Sequence, residues 1–161
     1  MNKTIMNLRA KISTSDSVSH IILAIQELFP NENIQHIDIQ KNFPNQQEKE
    51  DIIIKDVDYD YFFQRIHDTR IADTALDCMS HNLTLNHTTF KISRQAALAG
   101  KVSFVLDNES PLGGTFEIEV ESGNLKAWIE DMTWHKGRED VPREINDELK
   151  MGMDGSPQDW F

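Results

Sequence analysis

Two sequence patterns predict an α+β domain, an antiparallel sheet with helices packed on one face, followed by a C-terminal appendage. Strand-like stretches such as MNLRAKI, KVSFVL and TFEIEVE alternate apolar and polar residues, and the later ones are neighbours joined by hairpin-length connections. Amphipathic segments with three- and four-residue apolar spacing lie between them. The character of the chain changes after Trp134, so residues 1–134 read as a single α+β domain and residues 135–161 as an acidic extension of one short helix and a loose end. A length of 161 residues suits one domain of this kind.

The first strand places Met6, Leu8, Ala10 and Ile12 on one face and Asn7, Arg9 and Lys11 on the other. A helix follows, in which Val18, Ile21, Ile22, Ile25, Leu28 and Phe29 form the apolar side, Ser15 to Ser17 offer an N-cap and Pro30 ends the run. Ile34 to Ile39 and Ile52 to Lys55 are strand candidates on either side of a polar connection containing Pro44. One long helix is then expected, buried through Phe62, Phe63, Ile66, Ala72, Ala75, Leu76 and Met79, with a polar gap at Thr69 and Arg70. LTLNHTTFKIS reads as a strand whose Ser93 caps the short turn RQAALAG, and Gly100 permits the reversal into KVSFVL. DNESPLGG is a turn, TFEIEVE a strand, and NLKAWIEDMTW a closing helix.

Composition is that of an ordinary folded protein, with 39% hydrophobic and 27% charged residues. The formal net charge of -11 is unevenly spread. Up to Leu106 there are 11 Lys/Arg against 13 Asp/Glu, and from Asp107 onward 5 against 14. Between Tyr61 and Leu106 the balance reverses, because Arg65, Arg70, Lys91, Arg94 and Lys101 face only Asp68, Asp73 and Asp77. An anionic partner is therefore compatible with the acidic total, since a ligand meets the local field. The single Cys78 fits a reduced, buried thiol, and no apolar run approaches the roughly 18 residues of a membrane span. Without a signal-peptide pattern at its start, the chain reads as cytoplasmic, with no membrane partner.

Catalytic and metal motifs are not legible. Asp56, Asp58 and Asp60 alternate as in a calcium loop, but Tyr61 stands where glycine is required and His67 where a carboxylate is required. His20, His36, His67, His81, His87 and His135 include no i, i+4 pair and none beside a cysteine. No G-x-S-x-G elbow is present, and PLGG lacks the Lys and Ser/Thr of a phosphate loop. The expectation is a non-enzyme without metal or cofactor. The basic residues remain: Lys91 and Lys101 oppose the apolar sides of their strands, Phe90 and Ile92 in one, Val102, Phe104 and Leu106 in the other. If the two strands are neighbours, both lysines share one surface near Arg94 that could bind phosphates. Composition alone favours the plainer reading, in which these lysines solvate a strand face and balance nearby carboxylates.

RIADTALDCMSHN, TTFKISRQAALAGKVSF and PLGGTFEIEV resemble, in order and spacing, an uncharacterised archaeal family described as RNA-binding, some of whose relatives are grouped with the archaeal exosome. The resemblance is densest from Arg70 to Val120 and spans Ile5 to Trp134. Arg70, Asp73, Gln95, Ala96, Ala97, Gly100, Phe104, Pro111, Leu112 and Gly113 match its pattern, and Arg94 stands where the family has Lys. Asp77 and Cys78 occupy the place where the family carries a second Arg. The resemblance implies a fold similar to the large-subunit ribosomal protein that binds the smallest ribosomal RNA. It further implies structured RNA as partner, held through phosphates by Arg70, Lys91, Arg94 and Lys101, with Arg65 and Gln95 assisting. The alternative is a protein-interaction module that docks a partner through the acidic C-terminal part and the Trp160-Phe161 end.

Overall fold

Met6, Leu8 and Ala10 are almost wholly withdrawn from solvent while Arg9 and Lys11 between them are exposed, so the predicted alternation of β1 (Ile5–Ile12) is realised. In the computed structural model, which describes residues 3–13, 16–32 and 50–141, β1 is followed by α1 (Val18–Leu28), β2 (Glu50–Ile54), α2 (Asp60–Asp68) and α3 (Ala72–Ser80). Then come β3 (His87–Ser93), α4 (Arg94–Leu98), β4 (Phe104–Val105), β5 (Thr115–Glu121), α5 (Leu125–Met132) and a 3₁₀ turn at Lys136–Glu139. The strand expected at Ile34 to Ile39 and the tail from Pro142, with its predicted helix and Trp160-Phe161, lie outside the described residues.

The five strands form one sheet in the order β2-β1-β5-β3-β4, every pair antiparallel. Its buried face carries Met6, Leu8, Ile92, Phe116, Ile118 and Val120, and the helices cover that face. Phe62 of α2 ties the layers together, stacking on Phe29 at 5.4 Å and on Phe90 of β3 at 6.5 Å between ring centroids. Tyr59, Phe63 and Trp128 meet edge to face at 5.4 to 5.9 Å and fix α5 against α2. The α+β architecture expected from the sequence is the one observed.

Four local expectations change. The single long helix is two, broken at Thr69–Ile71, where Arg70 takes a φ of 59°. Arg70 N–H donates to His67 O and Ile71 N–H to Ile66 O, the paired bonds of a Schellman ending. The strand KVSFVL shortens to two residues: Val102 is buried and Phe104 packs on Phe90, but Leu106 is 53% exposed instead of facing the core. Cys78 is half-buried rather than enclosed. Packing also continues past Trp134, because Arg138 in the 3₁₀ turn is buried and bonded to Asp73 of α3.

The predicted serine caps form: Ser17 Oγ accepts from His20 N–H and Ser93 Oγ from Ala96 N–H. Asn124, not anticipated as a cap, does the same for α5, its Oδ1 accepting from Ala127 N–H. Gly100, at φ 74°, closes α4 with the same Schellman bonds seen at Arg70, here from Gly100 N–H to Ala97 O and Lys101 N–H to Ala96 O. No helix among the described residues is long and apolar enough to cross a membrane.

Candidate phosphate-binding surface

The six predicted contact residues divide into three places. Lys91 stands on the open face of the sheet, paired across β5 with Glu117, which is paired in turn with Arg9 of β1. A row of alternating charge, Arg9–Glu117–Lys91, therefore runs across three strands, and Arg9 is itself bonded to Asp51 at 2.6 Å. Opposite charges directly facing each other stabilise a sheet. Arg94 does not join Lys91 on that open face, because its side chain is buried at the start of α4.

Arg65 lies against the chain reversal at the C-terminal end of α4, just before Lys101. Arg65 Nε donates to Gly100 O at 3.1 Å, the carbonyl immediately before Lys101, and its Nη1 lies 3.9 Å from Asp68. Arg70 follows one turn after Arg65 and is exposed. Its backbone is held in the left-handed region that glycine or asparagine normally fills.

Arg94 and Gln95 lie at the other end of α4. Contrary to the expected exposed contact, the Arg94 side chain is only 10% exposed, and its guanidinium lies flat against Gly114. A Cβ on Gly114 would run into the guanidinium where it now lies, and the φ of 81° suits glycine. Arg94 Nη2 sits 3.6 Å from Asp16, beyond hydrogen-bonding range, while Nε and Nη1 have no hydrogen-bond partner among the described residues. The neighbouring cavity, about 280 Å³, is lined by Ser17, His20, Arg94, Gln95, Leu98 and Gly113 among others.

Two further clusters have no signature in the sequence. Asp73 Oδ1 accepts from His135 Nε2 at 2.9 Å and from Arg138 Nε at 3.0 Å. Burial alone would raise the Asp73 carboxyl, but the hydrogen bonds and charges of His135 and Arg138 outweigh it and hold the group below its ordinary value of 3.8. On the open sheet face His87, Glu119 and Glu121 bring their ligand atoms within 4.8 Å of one another, a set that could hold a metal ion, although exposed carboxylates gather this way commonly without one. Sequence spacing cannot find that set, because antiparallel pairing is what puts His87 opposite Glu121.

No family model matches the chain. A UPF0201 protein of Sulfurisphaera tokodaii is 38% identical over 73 residues, which is 45% of this chain; the match spans 50% of that relative's length. Among solved structures, a UPF0201 protein from Methanococcus jannaschii superposes with a TM-score of 0.67 at 19% identity, covering 81% of this chain and 99% of the other. A DUF54 protein from Methanothermobacter thermautotrophicus gives 0.52 at 10% identity, covering 80% and 91%. In sequence over part of its length, and in fold over most of it, the chain is thus similar to archaeal UPF0201 and DUF54 proteins.

Proposed function

We propose that the protein is a non-catalytic, UPF0201-type RNA-binding protein that holds structured RNA through its phosphates along the surface of α4. The observation that carries this reading is the placement of cationic and amide groups at both ends of that one short helix: Arg94 and Gln95 at the start, Arg65 and Lys101 at Gly100. Arg70 adds a cation held in a backbone conformation that favours glycine, and such strain at a polar surface residue points toward use. Lys91 belongs to the sheet's own charge row and is left out of the contact set.

Binding of this kind is electrostatic and shape-based, because no cluster of exposed aromatic residues offers a stacking platform among the described residues. Asp16 and Asp68 beside the cations keep it weak. Filter retention of an RNA hairpin at low salt tests it. The wild type is expected to retain the hairpin and Arg65→Glu with Lys101→Glu to bind it about tenfold more weakly; equal retention by both would refute the reading.

A further inference from the structure

A guanidinium buried to nine-tenths with two of its three nitrogens unpartnered among the described residues is an incomplete polar arrangement. Buried donors are normally satisfied, and a charged one strongly so. Asp16 supplies opposite charge but not the hydrogen bonds, since its Oδ2 accepts from Ser13 N–H at 2.8 Å and stays 3.6 Å from Arg94 Nη2. The cavity beside it opens between the first turn of α1 and the start of α4.

We propose that this α1–α4 cavity is a binding site for a single phosphate group, anchored by Arg94 and assisted by Gln95 and Ser17, and that the Asp16 carboxylate is the group the phosphate displaces from Arg94. Four features favour a phosphate. Arg94 lines the cavity, and a guanidinium is a strong hydrogen-bond donor to oxyanions. The eleven-residue α1 brings its N-terminal end, at Ser17 to His20, to the same space, adding a positive dipole end. Gln95 and Ser17 also line the cavity and bring an amide and a hydroxyl to it. The volume of about 280 Å³ falls just under the roughly 300 to 1,000 Å³ of sites that enclose a whole drug-sized ligand, as fits one charged group with a small substituent.

Gly113 and Gly114 complete the site. Their φ values of 85° and 81° fold the loop against α4, Gly114 O accepts from Arg94 N–H at 3.1 Å, and the missing Cβ of Gly114 leaves the guanidinium its place. Asp16 acts as an internal competitor, so its removal should strengthen binding while leaving the core intact. The inference rests on the phosphate reading above only through Arg94 and Gln95. It can fail while that reading survives through Arg65 and Lys101.

The test is thermal melting of the full chain against inorganic phosphate, with chloride and acetate at matched ionic strength as references. The wild type should show a saturable rise in Tm with phosphate alone. Asp16→Asn should saturate at several-fold lower concentration, and Gln95→Ala, a change at an exposed position, at higher concentration. Arg94→Lys should lose the response; should that variant not fold, the Asp16 and Gln95 variants decide. Identical responses to phosphate, acetate and chloride in both wild type and Asp16→Asn would overturn the site. Competition then identifies the source of the phosphate: displacement by a 5′-phosphorylated RNA hairpin but not by its 5′-hydroxyl twin assigns an RNA end, and displacement by neither assigns a free phosphorylated small molecule. A phosphate response that persists in Arg65→Glu with Lys101→Glu, where RNA retention is weakened, separates the two proposals.

Discussion

Arg138 reaches back from the turn after α5 to Asp73 in the first turn of α3, Nε to Oδ1 at 3.0 Å, and closes the helical layer. Its remaining donors go to Glu130 O, Ala72 O and Thr133 Oγ1 at 3.1 to 3.5 Å, so one buried side chain joins the two helices and the closing turn. Replacing it with Met fills similar space but removes these hydrogen bonds and leaves Asp73 with His135 alone. Arg138→Met should cost about 2 kcal/mol. Urea denaturation checks this as a lower midpoint at unchanged slope.

Asp73 gives that link an acid limit. Its folded-state value lies below 3.8, so as pH falls the unfolded chain takes up the proton first. The contribution is therefore complete above the ordinary carboxylate range and is lost as pH drops through the lower folded value. The stability advantage of wild type over Asp73→Asn is expected to shrink below about pH 4. An advantage that grows with acidity would contradict the assignment.

Arg70 and Gly100 occupy the same position of the same helix-ending motif, at φ 59° and 74°, yet one is arginine. Arg70→Gly should relieve the left-handed strain, partly offset by added freedom in the unfolded chain, and raise stability by about 0.5 to 1 kcal/mol. RNA retention should fall in the same variant. A gain in Tm together with a loss of binding would separate the functional cation from the turn that carries it; unchanged retention would remove Arg70 from the contact set.

A side chain at Gly114 meets two obstacles. The φ of 81° is strained for any L residue, and a Cβ there would run into the Arg94 guanidinium, which must then leave its place. Gly114→Ala is expected to destabilise by about 1 to 2 kcal/mol, measured by chemical denaturation. Gly113→Ala, whose Cβ would meet only Gln95 at 3.4 Å, should cost less.

Much of this architecture is legible in the amino-acid sequence. Period-two alternation marks the buried faces of β1 and β5, and serine before an apolar run locates the caps at Ser17 and Ser93. The helix break at Thr69–Ile71 is marked in the sequence only by the polar gap at Thr69 and Arg70, because apolar spacing resumes beyond it and no glycine or proline announces a left-handed residue. Strand order is equally hidden. Only the register of β1, β5 and β3 shows that Lys91 faces Glu117 and so belongs to a charge row on the open sheet face. Arg94 reads from the sequence as an exposed contact, whereas its guanidinium is buried. The Gly113–Gly114 pair is the signal for that burial, since adjacent glycines permit close approach as well as a turn.

Phosphate binding along α4, and not on the sheet, is tested most directly by the salt dependence of RNA affinity in wild type, Lys101→Gln and Lys91→Gln. Removing one phosphate contact should reduce the slope of log affinity against log salt by about one. That reduction is predicted for Lys101→Gln, and an unchanged slope for Lys91→Gln. An equal change in both variants, or a wild-type affinity indifferent to salt, would contradict binding at α4.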